Sequence, residues 1–299
     1  MKELIGYLNN PGSLFVVLLA LIPSVLVIYF FYKNYKVGPI SISKILMVLA
    51  AGCLTTILVV YPEEILMEFG IERFKSTFLL SFWGAFIVAG FCEELIKFFA
   101  IRLVAFNNFL IKNVKDGIFF SITVSVGFAF IENILYIGRY GEWVIELRAI
   151  MTVPMHAVAT GFMGYYIGKA KLNSNKGERI IYFIKGIIIA IVLHGAFNFF
   201  LMYGASLEEN GDLNWMMLLS PLIVIVGFYI LHSWIKELTD KNNFNENIPR
   251  EKERKIYPKQ TPVYEHPSFI KEVEKLHGKK GIIPKRKVPK KIDTSTEKK

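Results

Sequence analysis

Residues 76–105 read STFLLSFWGAFIVAGFCEELIKFFAIRLVA. The run exceeds the roughly 20 apolar residues that a helix needs to cross hydrocarbon, yet Glu93, Glu94 and Lys97 stand inside it. A charged side chain near the bilayer centre costs about 2.5–3.5 kcal/mol on insertion scales. Such groups face a bundle interior and mark chemistry or transport. The stretch therefore predicts an all-α, polytopic transmembrane bundle with a polar site inside it.

Six more apolar runs surround it, giving expected spans at about 14–32, 42–61, 76–105, 116–137, 149–168, 181–203 and 214–235. The third is long enough to be one tilted helix or two pieces broken near Glu93, which would make eight spans. The loop charges favour seven. Lys33 and Lys36 follow the first span, whereas Glu63, Glu64, Glu68 and Glu72 follow the second. Arg102, Lys112 and Lys115 follow the third, Lys169, Lys171, Lys176 and Arg179 the fifth, and Glu208, Glu209 and Asp212 the sixth. The positive-inside rule then predicts a multi-pass cell-membrane protein with an extracytoplasmic N-terminus and a cytoplasmic C-terminus. The first run is no cleaved signal peptide, being too long for an h-region and lacking a small-residue cleavage site.

The chain is 53% hydrophobic and carries a net charge of +10. Residues 236–299 hold 18 Lys/Arg against 10 Asp/Glu, so most of that charge lies at the C-terminus. Six prolines fall among these residues, and apolar periodicity does not. They read as a largely disordered cytoplasmic tail, 236–299, set apart from a membrane domain, 1–235. Such a tail meets anionic lipid, and nothing in it suggests a nucleic-acid-binding fold. Cys53 and Cys92 both lie in apolar runs, which gives no disulfide framework.

Other polar groups recur at the depth of the glutamate pair. They are Glu132 and Asn133 in the fourth span, His156 in the fifth, and His194 and Asn198 in the sixth. At 1.5 Å per residue, Glu94, His156, His194 and Glu132 lie roughly 17–24 Å from their cytoplasmic span ends. Four helices thus bring polar groups into one layer. Glu93 and Lys97 share a helix face, as do His194 and Asn198, because each pair is four residues apart. Lys97 can neutralise one carboxylate and leave the other for acid/base work. A His and an Asn on one face can donate hydrogen bonds to a developing oxyanion. Three of these groups, Glu132, His156 and His194, would also suit zinc with a fourth position left for water. Small residues at Ala157, Ala159, Gly161 and Gly164 permit close helix approach beside His156.

The order Glu93-Glu94-Leu95-Ile96-Lys97, Phe128-Ala129-Phe130-Ile131-Glu132-Asn133, His156, and His194-Gly195-Ala196-Phe197-Asn198 resembles the PrsW family of intramembrane proteases. That family is grouped with the CAAX prenyl endopeptidases and bacteriocin-processing membrane proteases. Relatives in the wider group more often carry EExxR and FxxxH, so Lys97 and Glu132 point to the PrsW branch. The resemblance covers about residues 80–200, within a motif-bearing core at 76–203. It implies endopeptidase cleavage of membrane-anchored, single-span substrates such as anti-sigma factors. It makes the Glu93/Glu94 pair the activator of water and His156 its positioner, with His194 and Asn198 as the oxyanion site. Lys97, Glu132 and Asn133 would support them. Glutamate chemistry needs no cofactor; a zinc-dependent version is the alternative. A proton-coupled transporter would also use such groups, and an inactive scaffold would keep the fold alone.

Overall fold

The computed structural model describes residues 13–34, 40–140, 144–207 and 214–247, and among these no strand occurs. Among the described residues, seven long helices follow one another. They are α1 (Ser13–Asn34), α2 (Ile42–Arg73), α3 (Thr77–Phe106), α4 (Val114–Tyr140), α5 (Val144–Leu172), α6 (Lys176–Ser206) and α7 (Leu219–Asn247). A 3₁₀ turn, Trp215–Leu218, leads into α7. Each of the seven expected spans is therefore helical. Among the described residues, five helices are long and apolar enough to cross a membrane: α2, α3, most of α4, α6, and the turn with most of α7. Ala20–Lys33 is a shorter apolar helix. Leu54, Leu58, Ile184, Ile188 and Ile225 on α2, α6 and α7 are all more than half exposed, as lipid-facing side chains are.

α4 is the central helix. Its most apolar window is 78% buried, against 28% for α2 and α6. Phe119, Phe120, Ile122, Val124 and Val126 are all buried there, on every side of the helix. The hydroxyls of Thr123 and Ser125 donate to the carbonyls of Phe119 and Ile122, both at 2.9 Å, so they bring no unsatisfied polar group into the core. Glycine sets the contact between α2 and α4. A Cβ at Gly127 would lie 2.2 Å from the Leu49 carbonyl oxygen, and one at Gly52 would lie 2.0 Å from that of Val124. The two backbones touch where side chains would hold them apart. Gly127→Ala is expected to cost about 1–3 kcal/mol by overpacking, read as a lower thermal midpoint in detergent. An unchanged midpoint would mean that this contact adds nothing to stability.

α3 settles how the deciding stretch folds. It is one continuous helix, unbroken at Glu93. Its turns are not uniform, however, because Trp83–Phe91 and Ile101–Phe106 are π-helical and flank α-helical Cys92–Ala100. π-helical turns are uncommon and cluster at functional sites. The first run ends two residues before Glu93.

Two boundaries differ most from expectation. α2 does not stop at 61 but continues through Pro62 to Arg73, so Glu63, Glu64, Glu68 and Glu72 are helical rather than loop residues. At 1.5 Å per residue this helix is about 48 Å long, longer than hydrocarbon is thick. Trp83 Nε1 donates to the Leu66 carbonyl at 2.7 Å and fixes the extension against α3. At the other end, α7 runs past the expected tail start at 236 to Asn247. The chain divides into Met1–Asn243, which holds the bundle, and Phe244–Lys299, of which 244–247 are described. The rest of the expected tail lies outside the described residues.

Candidate active site

Close helix approach assembles the site. A Cβ at Gly195 of α6 would lie 2.3 Å from the Phe86 ring of α3, and one at Gly90 would lie 3.2 Å from the Ile191 carbonyl. This contact sets Glu94 against His194. α5 meets α4 through Gly164, where an added Cβ would be 2.5 Å from the Gly117 carbonyl oxygen. That packing carries His156 to the same point. Glu94, Lys97 and His156 have no exposed surface, His194 is 1% exposed and Glu93 4%.

Lys97 is the hub. Its ammonium donates to Glu93 Oε2 at 3.0 Å, to Glu94 Oε1 at 2.9 Å and to His156 Nδ1 at 3.0 Å. It also lies 3.9 Å from the centre of the Phe128 ring. An ammonium has three donors and no acceptor, so all three are used. His156 Nδ1 must accept, which leaves the ring proton on Nε2, 2.9 Å from Glu132 Oε2. His194 Nδ1 is 2.9 Å from Glu94 Oε1 and donates to it. Its Nε2 then presents a lone pair, 3.9 Å from Glu93 Oε1. The two imidazoles meet edge-on with centroids 5.0 Å apart.

The two glutamates are therefore unlike. Glu94 accepts from Lys97 and His194 on Oε1 and from the Thr160 hydroxyl on Oε2, the last at 2.9 Å. Both of its oxygens are engaged, and it holds three helices together. Glu93 accepts from Lys97 on Oε2, and its Oε1 enters none of these bonds. Asn198, one turn beyond His194 on α6, is half-buried and also outside the network. Asn133 is fully buried beside Glu132.

Two members of the site do not stand out in the sequence. Glu63 faces inward from the extension of α2, where it interacts electrostatically with Glu93, Glu132 and Lys97 and shares a side-chain hydrogen bond with Glu93. Its Oε1 is buried without a hydrogen-bond partner. Thr160 lies one turn after His156, and that i, i+4 spacing was the available signal. Thr160→Val removes one bond to Glu94. Cleavage is expected to fall about tenfold, with about 1 kcal/mol of stability lost, checked by turnover and thermal midpoint together. Full turnover would show that Glu94 needs no support from α5.

The group is acidic overall, with one ammonium facing the carboxyls of Glu63, Glu93, Glu94 and Glu132. Glu93, His156 and His194 each offer a ligand atom within 4.8 Å of the others. The expected zinc set had Glu132 in the place that Glu93 takes here. Glu132 instead holds the far nitrogen of His156, as Glu94 holds that of His194. Outer carboxylates of this kind orient zinc-ligating histidines. Distances thus fit a divalent ion, but His156 Nδ1 is taken by the Lys97 ammonium, which must leave that nitrogen before it can ligate.

These residues lie within a wider similarity. A sequence profile described as "PrsW family intramembrane metalloprotease" matches residues 41–231. The chain belongs to the PrsW family of intramembrane proteases. The chain is 28% identical over 215 residues to "Protease PrsW" of Clostridioides difficile strain 630, covering 70% of this chain and 85% of that one. A protein of the same name from Bacillus subtilis strain 168 is 31% identical over 149 residues, covering 50% and 64% of the two chains. Another from Oceanobacillus iheyensis is 32% identical over 166 residues, covering 56% and 69%. No solved structure matches. The PrsW match is wider than the motif resemblance: it takes in all of α2, with Glu63, and reaches into α7. As a PrsW family member this is a multi-pass membrane peptidase.

Proposed function

We propose that Glu93 is the base that activates water for hydrolysis of a peptide bond in a membrane-anchored protein. The observation that carries this is the contrast between Glu94, which accepts three hydrogen bonds, and Glu93, whose Oε1 accepts none of those and lies 3.9 Å from His194 Nε2. Water bound at Oε1 loses a proton to Glu93 as its oxygen bonds to the substrate carbonyl carbon. The Asn198 carboxamide donates to the resulting oxyanion. With Nδ1 donating to Glu94, a neutral His194 accepts at Nε2 rather than donating, so its part is to hold the water. When the C–N bond breaks, Glu93 returns the proton to the leaving nitrogen.

A second reading has its own support. With Nδ1 donating to Glu94, His194 presents the lone pair that a metal needs, and the matched family is described as metalloproteases. Glu93, His156 and His194 would hold zinc once Lys97 moved off His156 Nδ1, and zinc when bound supplies Lewis-acid polarisation and a more acidic water. A proton-coupled transporter finds no comparable support.

The charge pattern supports an extracytoplasmic N-terminus and a cytoplasmic C-terminus. It puts the site towards the outer half of the membrane, where a single-span substrate such as an anti-sigma factor would be cut. The basic tail would contact anionic lipid. Wider kinship with CAAX prenyl endopeptidases rests on motif order alone. The test compares membrane-protein N-termini in cells carrying wild type or His194→Ala, each with and without a zinc chelator. New N-termini with wild type alone are expected and would name the substrate; equal sets at equal expression would overturn the proposal. Chelator sensitivity would select the metal reading.

A further inference from the structure

Away from the catalytic cluster, three cations converge without a counter-ion. α3 ends at Phe106, α5 at Leu172, and α6 begins at Lys176, so three helix ends meet. Around the Phe106 ring lie Lys171 Nζ at 4.5 Å, the Arg102 guanidinium at 4.9 Å and that of Arg179 at 5.5 Å from the centroid. Phe183 is 4.9 Å from Arg102, and Phe109 is 4.4 Å from Lys171. Lys171 also donates to the Phe106 carbonyl at 2.6 Å.

None of the three forms an ion pair among the described residues. Glu178, next to Arg179 in the chain, accepts from Asn173. Arg102 Nη1 is buried with no hydrogen-bond partner. Lys171, beyond the expected span end at 168, is held below the usual lysine range by burial, and further by Arg179 and Arg102. Like charges gathered in this way repel, and a buried donor left unsatisfied is costly. An anion bound among them would relieve both.

We propose that Arg102, Lys171 and Arg179 form a binding site for the phosphate of an anionic phospholipid. The surroundings favour a lipid over free phosphate, which offers the same chemistry. Leu103, Phe109, Leu172 and Ile180 flank the cations and are 62%, 75%, 60% and 57% exposed. They offer an apolar surface to acyl chains directly beside the charges. Phe109 is the only non-glycine residue with positive φ among those described, at 57°. Such a backbone is sparsely populated for a bulky residue, and here it presents an aromatic ring where membrane interfaces favour one. The site consists of α3, α5 and α6 residues and is independent of the protease reading.

The test uses the full chain, delipidated in detergent and titrated with phosphatidylglycerol, phosphatidylcholine or inorganic phosphate under native mass spectrometry. Wild type is expected to retain phosphatidylglycerol. The Arg102→Gln, Lys171→Gln, Arg179→Gln triple variant should bind it on the order of a hundredfold more weakly, from about 1 kcal/mol per basic residue. Equal binding by both proteins would overturn the site. Displacement of phosphatidylglycerol by inorganic phosphate would assign the site to a soluble anion and overturn the lipid assignment. If the triple variant folds poorly, wild type is labelled with photoactivatable phosphatidylglycerol. Labels concentrated in 102–109 and 171–180 support the site, and labels on the tail alone overturn it.

Discussion

Glu93→Gln is expected to lower peptide-bond cleavage about a thousandfold or more, the range that a positioned base supplies, with the bundle still inserted and folded. Gln keeps the shape of Glu and an oxygen that can accept from Lys97. Lys97 also retains Glu94, at 2.9 Å, as its counter-charge. Removing a carboxylate lowers the cost of burying this segment, so the insertion step gains. What the variant loses is an oxygen that can take a proton. The same change separates the two chemistries. If Glu93 is the base alone, added zinc restores nothing. If it is a ligand beside His156 and His194, the variant binds metal more weakly, and excess zinc recovers part of the activity. Turnover of a single-span substrate in detergent, with and without added zinc, reads both. Wild-type turnover by Glu93→Gln at normal expression would remove Glu93 from the chemistry.

Much of this site is legible in the chain. Glu93, Glu94 and Lys97 declare a shared helix face by their spacing, and His156, His194 and Glu132 fall at the same depth by counting rise per residue. The structure brings all six together. Depth is one-dimensional, however, and does not say which way a helix is turned. Glu63 shows the limit. Pro62-Glu63-Glu64 after an apolar run looks like a span end, because proline and charge commonly close one. Here α2 continues, and its rotation is set by the backbone contact between Gly52 and Val124, which no periodicity reveals. Thr160 was hidden for a different reason, since a threonine among alanines and glycines looks like packing. The π-helical turns before Cys92 are equally silent, because an apolar run reads the same at either helical pitch. The roles of the two glutamates, indistinguishable in sequence, separate only when the donors around each are counted.

Lys97→Met should be the most destabilising single change in the site. The ammonium is wholly buried, and its three donors end on Glu93, Glu94 and His156. Taking one partner from a buried ion pair costs about 3–5 kcal/mol, because the remaining charge is left uncompensated. Here two adjacent carboxylates would be left, with only His194 and Thr160 still donating to Glu94. Methionine has nearly the right length and no charge, so the loss is electrostatic rather than a cavity. Activity should vanish as well, since His156 Nδ1 and Glu93 Oε2 both lose the group that positions them. The double variant Lys97→Met, Glu94→Gln separates these effects. It removes one of the stranded charges and should recover part of the thermal midpoint, yet none of the cleavage. Recovery of both would make Lys97 merely a counter-ion. A single variant as stable as wild type would mean that another cation already balances these carboxylates, and divalent-metal content measured on the same sample would identify it.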